Sequence, residues 1–155
     1  ALGCPFTEWL CVLELRIQQS KRTRSGGVSS MHNYIPGTIS GIILFQTAVI
    51  APVLFKNLDI KEFAKVIRLM WPKFFAIIAV LGALSIGLTY VESGSMIQMG
   101  IAVFTCVTSA VCYAIIPATN RASDTGNQKR FDLLHKVSVY STVLMLIGNV
   151  AYLFV

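Results

Sequence analysis

Residues 72–91 read PKFFAIIAVLGALSIGLTYV, residues 92–95 read ESGS, and residues 96–116 read MIQMGIAVFTCVTSAVCYAII. A helix rises about 1.5 Å per residue, so roughly 20 apolar residues cross a hydrocarbon core about 30 Å thick. Both apolar runs meet that length, and their only formal charge is Lys73 at an outer edge. The four residues between them permit only a tight turn, which makes the two runs an antiparallel pair. Strand-like alternation is absent, and backbone groups in lipid must be satisfied within the segment, so both runs are read as helices.

The same pattern recurs on either side. Residues 34–55, YIPGTISGIILFQTAVIAPVLF, are uncharged, and residues 137–155, VSVYSTVLMLIGNVAYLFV, are again apolar. Over all 155 residues, 55% are hydrophobic and 13% charged, about half the charged fraction of a soluble domain. None of the runs carries a charged stripe, as the outer face of a soluble bundle would. The fold class that follows is all-α, an integral membrane bundle of four helices over residues 31–155. Nucleic-acid binding, disorder and ordinary cytosolic catalysis are excluded by the same composition, despite a pI near 9.4.

The two longer connections differ in kind. In residues 56–71, KNLDIKEFAKVIRLMW, the apolar Ile60, Phe63, Ala64, Ile67 and Met70 recur at helical spacing, with Lys61, Glu62, Lys65 and Arg68 elsewhere on the wheel. This predicts a separate amphipathic helix at the membrane interface between spans one and two. Residues 117–136, PATNRASDTGNQKRFDLLHK, read as a polar loop broken at Gly126-Asn127, with a helix starting near Asn127.

Basic residues flanking spans favour the cytoplasmic, matrix or stromal side. The first long connection carries Lys56, Lys61, Lys65, Arg68 and Lys73, the second carries Arg121, Lys129, Arg130 and Lys136, and the short turn carries none. Both long connections are therefore expected on that side, with both chain ends opposite. Residues 1–30 oppose this bias through Arg16, Lys21, Arg22 and Arg24. Phe6, Trp9, Leu10, Leu13 and Ile17 suit one face of an interfacial helix, and SGGVSS suits a linker. Three readings of this arm stand open: a targeting remnant, a docking segment contacting a partner or lipid through Trp9, Lys21, Arg22 and Arg24, or sequence not native to the core.

Chemistry is sparse. No CxxC, HExxH or other metal-ligand spacing occurs, and Cys106 and Cys112 are six positions apart on different faces of one helix. His32 and His135 fall at opposite membrane faces, which excludes a shared metal or haem within one chain. No ionisable residue sits in the central half of a span, where proton- and ion-coupled carriers place one. Nor can a nucleophile–base pair, a phosphate-binding glycine loop or paired carboxylates be assembled. No enzyme activity and no cofactor are expected. The polar residues set into the spans suit interhelical packing. Gln46 and Asn149 stand out among them, because an unpaired amide in lipid is costly.

Three stretches, APVLFKNLD, WPKFFAI and IPATNRASDTGNQKRFDLLHKVSV, resemble in their order the transmembrane protein 205-like proteins, which carry domain of unknown function 4149. The resemblance runs from about Pro36 to Val155, with its most specific part in Phe131, Leu134, His135, Lys136 and Ser138. It implies a four-span membrane protein, and an animal member is associated with resistance to platinum drugs. It singles out Pro52, Phe55, Pro72, Asn120, His135 and Ser138. Pro52 is placed to bend the end of span one and Pro72 to open span two. Asn120 is a candidate helix cap, and His135 a candidate tie between the long connections.

The function expected is that of a non-catalytic membrane scaffold, an accessory subunit of a larger complex in an energy-transducing membrane: mitochondrial inner, plastid or bacterial inner. Its expected partners are the bilayer, other membrane subunits and anionic lipid head groups. The rival expectation is a small transporter for a soft-metal complex or small solute, with Gln46, Thr105 and Asn149 along one path.

Overall fold

The computed structural model describes residues 31–155; the arm, with Trp9, Lys21, Arg22 and Arg24, lies outside the described residues. Four helices follow in order: α1 (Met31–Asn57), α2 (Ile60–Val91), α3 (Met96–Asp124) and α4 (Gln128–Tyr152). All four are long and apolar enough to cross a membrane, and no strand occurs among the described residues. Each helix packs on its sequence neighbour, and α1 closes the ring against α4.

The helix ends are set by local chemistry. Asp59 caps α2 by accepting from the Glu62 amide at 2.9 Å. Ser95 and Gln98 form a reciprocal capping box at α3, with bonds of 3.1 and 2.9 Å. Asn127 caps α4 by accepting from the Arg130 amide at 3.1 Å, so the expected break at Gly126-Asn127 is present. Helix α2 stops in a Schellman motif, where the Gly94 amide donates to the Thr89 carbonyl at 2.8 Å and Ser93 sits at φ 56. Helix α3 stops the same way, with Gly126 at φ 68 and the Asn127 amide on the Ala122 carbonyl at 2.9 Å.

Three expectations are corrected. The amphipathic segment is not a separate helix: it forms the first part of α2, which runs unbroken for 32 residues, about 48 Å at the standard rise. Pro72 therefore lies inside α2 rather than at its start, and it removes only the bond that residue 72 would give to the Arg68 carbonyl. Helix α3 likewise continues through Pro117 to Asp124, which makes Asn120 an interior helical residue and not a cap. Both changes have one cause: a single proline leaves one carbonyl unpaired, and the turns beyond it remain bonded.

Pro52 has a different effect. Residues Phe45–Ile50 form a π stretch in which the Ala51 amide reaches the Gln46 carbonyl, five residues back. A proline ring clashes with the carbonyl four residues earlier, and a widened turn just before it relieves that clash.

The interior is a stack of one buried face per helix. Helix α4 contributes Ser138, Thr142, Met145, Asn149 and Tyr152, and α3 contributes Gln98, Ala102, Thr105, Ser109 and Cys112. Ile39, Ile43, Phe74, Phe75, Ile78, Cys112 and Met145 form the apolar cluster. Large apolar side chains such as Leu84, Val107, Leu144 and Ile147 face outward. Most interior hydroxyls bond back to their own helix, as Ser109 does to the Thr105 carbonyl at 2.7 Å. Other interior side chains bond from one helix to another. The Asn149 amide donates to Thr105 Oγ1 at 2.8 Å, and Thr89 Oγ1 meets the Tyr152 hydroxyl at 2.6 Å. Since Thr89 gives its proton to the Ser85 carbonyl at 2.7 Å, Tyr152 is the donor of that pair.

Helices α2 and α3 approach closely at Gly82, where an added Cβ would lie 2.9 Å from both the Cα and the N of Cys106. Gly82→Ala should therefore lower stability by about 1–3 kcal/mol in a detergent melt, since backbone has to move. Gly87, with open space around its Cβ position, provides the contrast: Gly87→Ala should be neutral or gain up to about 1 kcal/mol of helix propensity. A double-mutant cycle on Thr105→Ala and Asn149→Ala should return a coupling of about 0.6 kcal/mol and no more than about 1.7.

Candidate functional site

The two ends of the bundle are chemically unlike. At the short-turn end, His32 Nδ1 lies 2.7 Å from Glu92 Oε2, and the His32 backbone amide donates to the same oxygen at 3.3 Å. The Tyr152 ring meets the His32 ring edge-on at 5.9 Å. This cluster ties the start of α1, the α2–α3 turn and the end of α4 into one knot. His32 and His135 do lie at opposite ends, as their spacing requires.

The other end holds every lysine and arginine among those described: Lys56, Lys61, Lys65, Arg68, Lys73, Arg121, Lys129, Arg130 and Lys136. Four carboxylates accompany these nine cations, Asp59, Glu62, Asp124 and Asp132. The two long connections meet here through Arg68, whose Nη2 lies 2.6 Å from Asp124 Oδ1 and donates to Ser123 Oγ at 3.2 Å. Both partners are well exposed, so this bridge contributes little stability and acts mainly as a register mark.

Between the helices at this end lies a cleft of about 470 Å³. Helix α2 supplies one wall through Ile60, Phe63, Ala64, Ile67, Arg68, Trp71 and Phe75. That wall holds Ile60, Phe63, Ala64 and Ile67 of the apolar stripe read from the sequence but not Met70, and Arg68 joins it, one turn beyond Ala64. Helix α3 adds Ile116, Thr119, Asn120 and Ser123, α4 adds Phe131, His135 and Ser138, and Ala51 comes from α1. Phe131 and His135 stack in parallel with centroids 5.7 Å apart, and Trp71 stacks on Phe75 at 5.3 Å.

A proline stands next to a lining residue on three of the helices: Pro52 beside Ala51, Pro72 beside Trp71, and Pro117 beside Ile116. Each removes a backbone donor and loosens its helix locally. The cleft therefore opens where the ladders are interrupted, and the tight Gly82 contact lies deeper in the bundle.

Of the polar residues singled out by sequence, Asn120, His135 and Ser138 are brought together on the cleft. Asn149 is buried elsewhere on Thr105 and the Met145 carbonyl, and Gln46 sits half-buried in the π stretch of α1. Neither lines the cleft. The cleft itself, the Arg68–Asp124 bridge and the His32–Glu92 pair were not foreseen; the one available signal was the recurrence of proline at the same end of three helices. Among the described residues, no group of three His, Cys, Asp or Glu side chains is placed to hold a metal ion. The Cys112 thiol neighbours the Ser138 and Ser141 hydroxyls instead.

Compared with known proteins, residues 35–128 match the model of a family described as Domain of unknown function (DUF4149). No curated protein matches the chain, and no solved structure does. The matched region takes in α1 apart from its first residues, α2 and α3, together with the α1 to α3 share of the cleft; the Phe131–Ser138 motif lies past its end. Since that region is more than half of its length, the chain belongs to the DUF4149 family.

Proposed function

We propose that this protein is a non-catalytic accessory or scaffold subunit of a larger complex in an energy-transducing membrane, mitochondrial inner, plastid or bacterial inner. The observation that carries this reading is the inside-out distribution of its side chains. The interior polar groups are largely spent on one another and on their own helices, while apolar side chains cover the outward surfaces of all four helices. Away from the cationic end, such a surface suits lipid and neighbouring transmembrane helices equally, and residues 74–91, 96–116 and 137–155 carry no charge to hinder packing. The likeness of three stretches to the transmembrane protein 205-like proteins supports a four-span membrane role without assigning a reaction.

The transporter reading has one observation in its favour, the cleft. Its path of Gln46, Thr105 and Asn149 finds less support, since none of the three lines that cleft and Asn149 is committed to Thr105. Substituting Asn149 should leave flux of a platinum complex unchanged at equal protein abundance.

On the subunit reading, extraction in a mild detergent should yield a complex larger than the chain alone, with stoichiometric companions in native electrophoresis and mass spectrometry; a lone monomer would overturn it. The charge bias supports a topology with both long connections on the matrix, stromal or cytoplasmic side. In a background lacking Cys4, Cys11, Cys106 and Cys112, Lys61→Cys and Lys129→Cys should react with an impermeant maleimide from that side and from no other.

A further inference from the structure

We propose that the cleft at the cationic end is a binding site for an anionic phospholipid of the surrounding bilayer, with one acyl chain between α2 and α4 and the phosphate at Asn120, His135 and Arg68. This goes beyond the accessory-subunit reading and stands or falls separately from it.

The cleft has the polarity gradient of an amphiphile. Phe75, Ile116 and Ser138 belong to the apolar runs, so one end of the cleft reaches into the hydrocarbon level. Arg68 and His135 belong to the charged connections, so the other end reaches the head-group level. Its volume of about 470 Å³ falls within the range of about 300–1,000 Å³ typical of small-molecule sites. Apolar walls with a few polar groups gathered at one end are what a chain with a polar head requires.

Charge selects the head. Nine cations and four carboxylates lie at this end, and basic pockets between spans on the cytoplasmic or matrix side recognise anionic lipid head groups. The donors suit phosphate oxygens. Asn120 offers an amide NH₂ and His135 a ring N–H, and Arg68 spends only one nitrogen on Asp124 and Ser123, which leaves the rest of its fork. A zwitterionic head would bring a choline group into this cationic rim, a repulsion that an anionic head avoids.

The test uses full-length protein purified in mild detergent and placed in nanodiscs of phosphatidylcholine with or without phosphatidylglycerol. Native mass spectrometry of the wild type should show one retained phosphatidylglycerol, held at least about fivefold more tightly than phosphatidylcholine, the factor that about 1 kcal/mol provides. Ala64→Phe fills the cleft and leaves every charge in place; it should abolish the retained lipid. Lys61→Gln with Lys65→Gln lowers the surface charge outside the cleft lining and should leave the single retained lipid bound. Retention of phosphatidylglycerol by Ala64→Phe, or loss in the lysine variant alone, would assign the effect to diffuse surface attraction and overturn the proposal. Should Ala64→Phe fail to fold, Ala51→Phe fills the cleft from α1. Spin-labelled phosphatidylglycerol on the wild type gives an answer free of mutation: a motionally restricted population no larger than that of phosphatidylcholine would equally overturn the site.

Discussion

In hydrocarbon no water is available to any N–H, C=O or hydroxyl, so most polar groups in the bundle bond inside the protein, the buried Ser40 and Ser85 hydroxyls being exceptions. That constraint explains why the spans are helices and why their polar side chains point inward. It also explains why so many threonines and serines bond to a carbonyl one turn back. Thr105 shows the economy of the arrangement: its proton goes to the Ile101 carbonyl at 2.9 Å, which frees its oxygen to accept from Asn149. Thr89 repeats the device with Tyr152. One hydroxyl thus satisfies its own helix and joins a second one.

The same constraint limits where the chain tolerates prolines. Every interior proline frees a carbonyl that lipid cannot satisfy, and Pro52, Pro72 and Pro117 all sit toward the cationic end, near the polar connections. Deeper in the bundle the spacing is set by side-chain size instead, with Gly82 bringing α2 against the α3 backbone. One end of the protein is consequently close-packed and hydrogen-bonded between helices, and the other is splayed around a cleft.

Span number, the hairpin at 92–95 and the helix start after Asn127 were legible because they depend on local quantities: run length, loop length and capping residues. Segment boundaries at prolines were not. Pro72 and Pro117 read as edges of spans, yet each removes a single backbone bond and the turns on either side stay bonded, so both helices run through. Asn120, His135 and Ser138 were legible as unusual residues, but their convergence on one cleft depends on three helices meeting, which no single stretch encodes. His32 and Glu92 escaped notice for the same reason, being 60 positions apart in the chain. The wheel sets Arg68 apart from the apolar stripe, and wheel geometry alone cannot weigh a partner such as Asp124.

The unequal ends carry a mechanical consequence. The short-turn end is cross-linked by the Tyr152–Thr89 and His32–Glu92 contacts, whereas the cationic end is joined across α2 and α3 by a partly exposed ion pair. Opening free energy is therefore graded along the membrane normal. Local opening should cost least at the end that holds the cleft, while the contacts at the opposite end hold the four helices in their order.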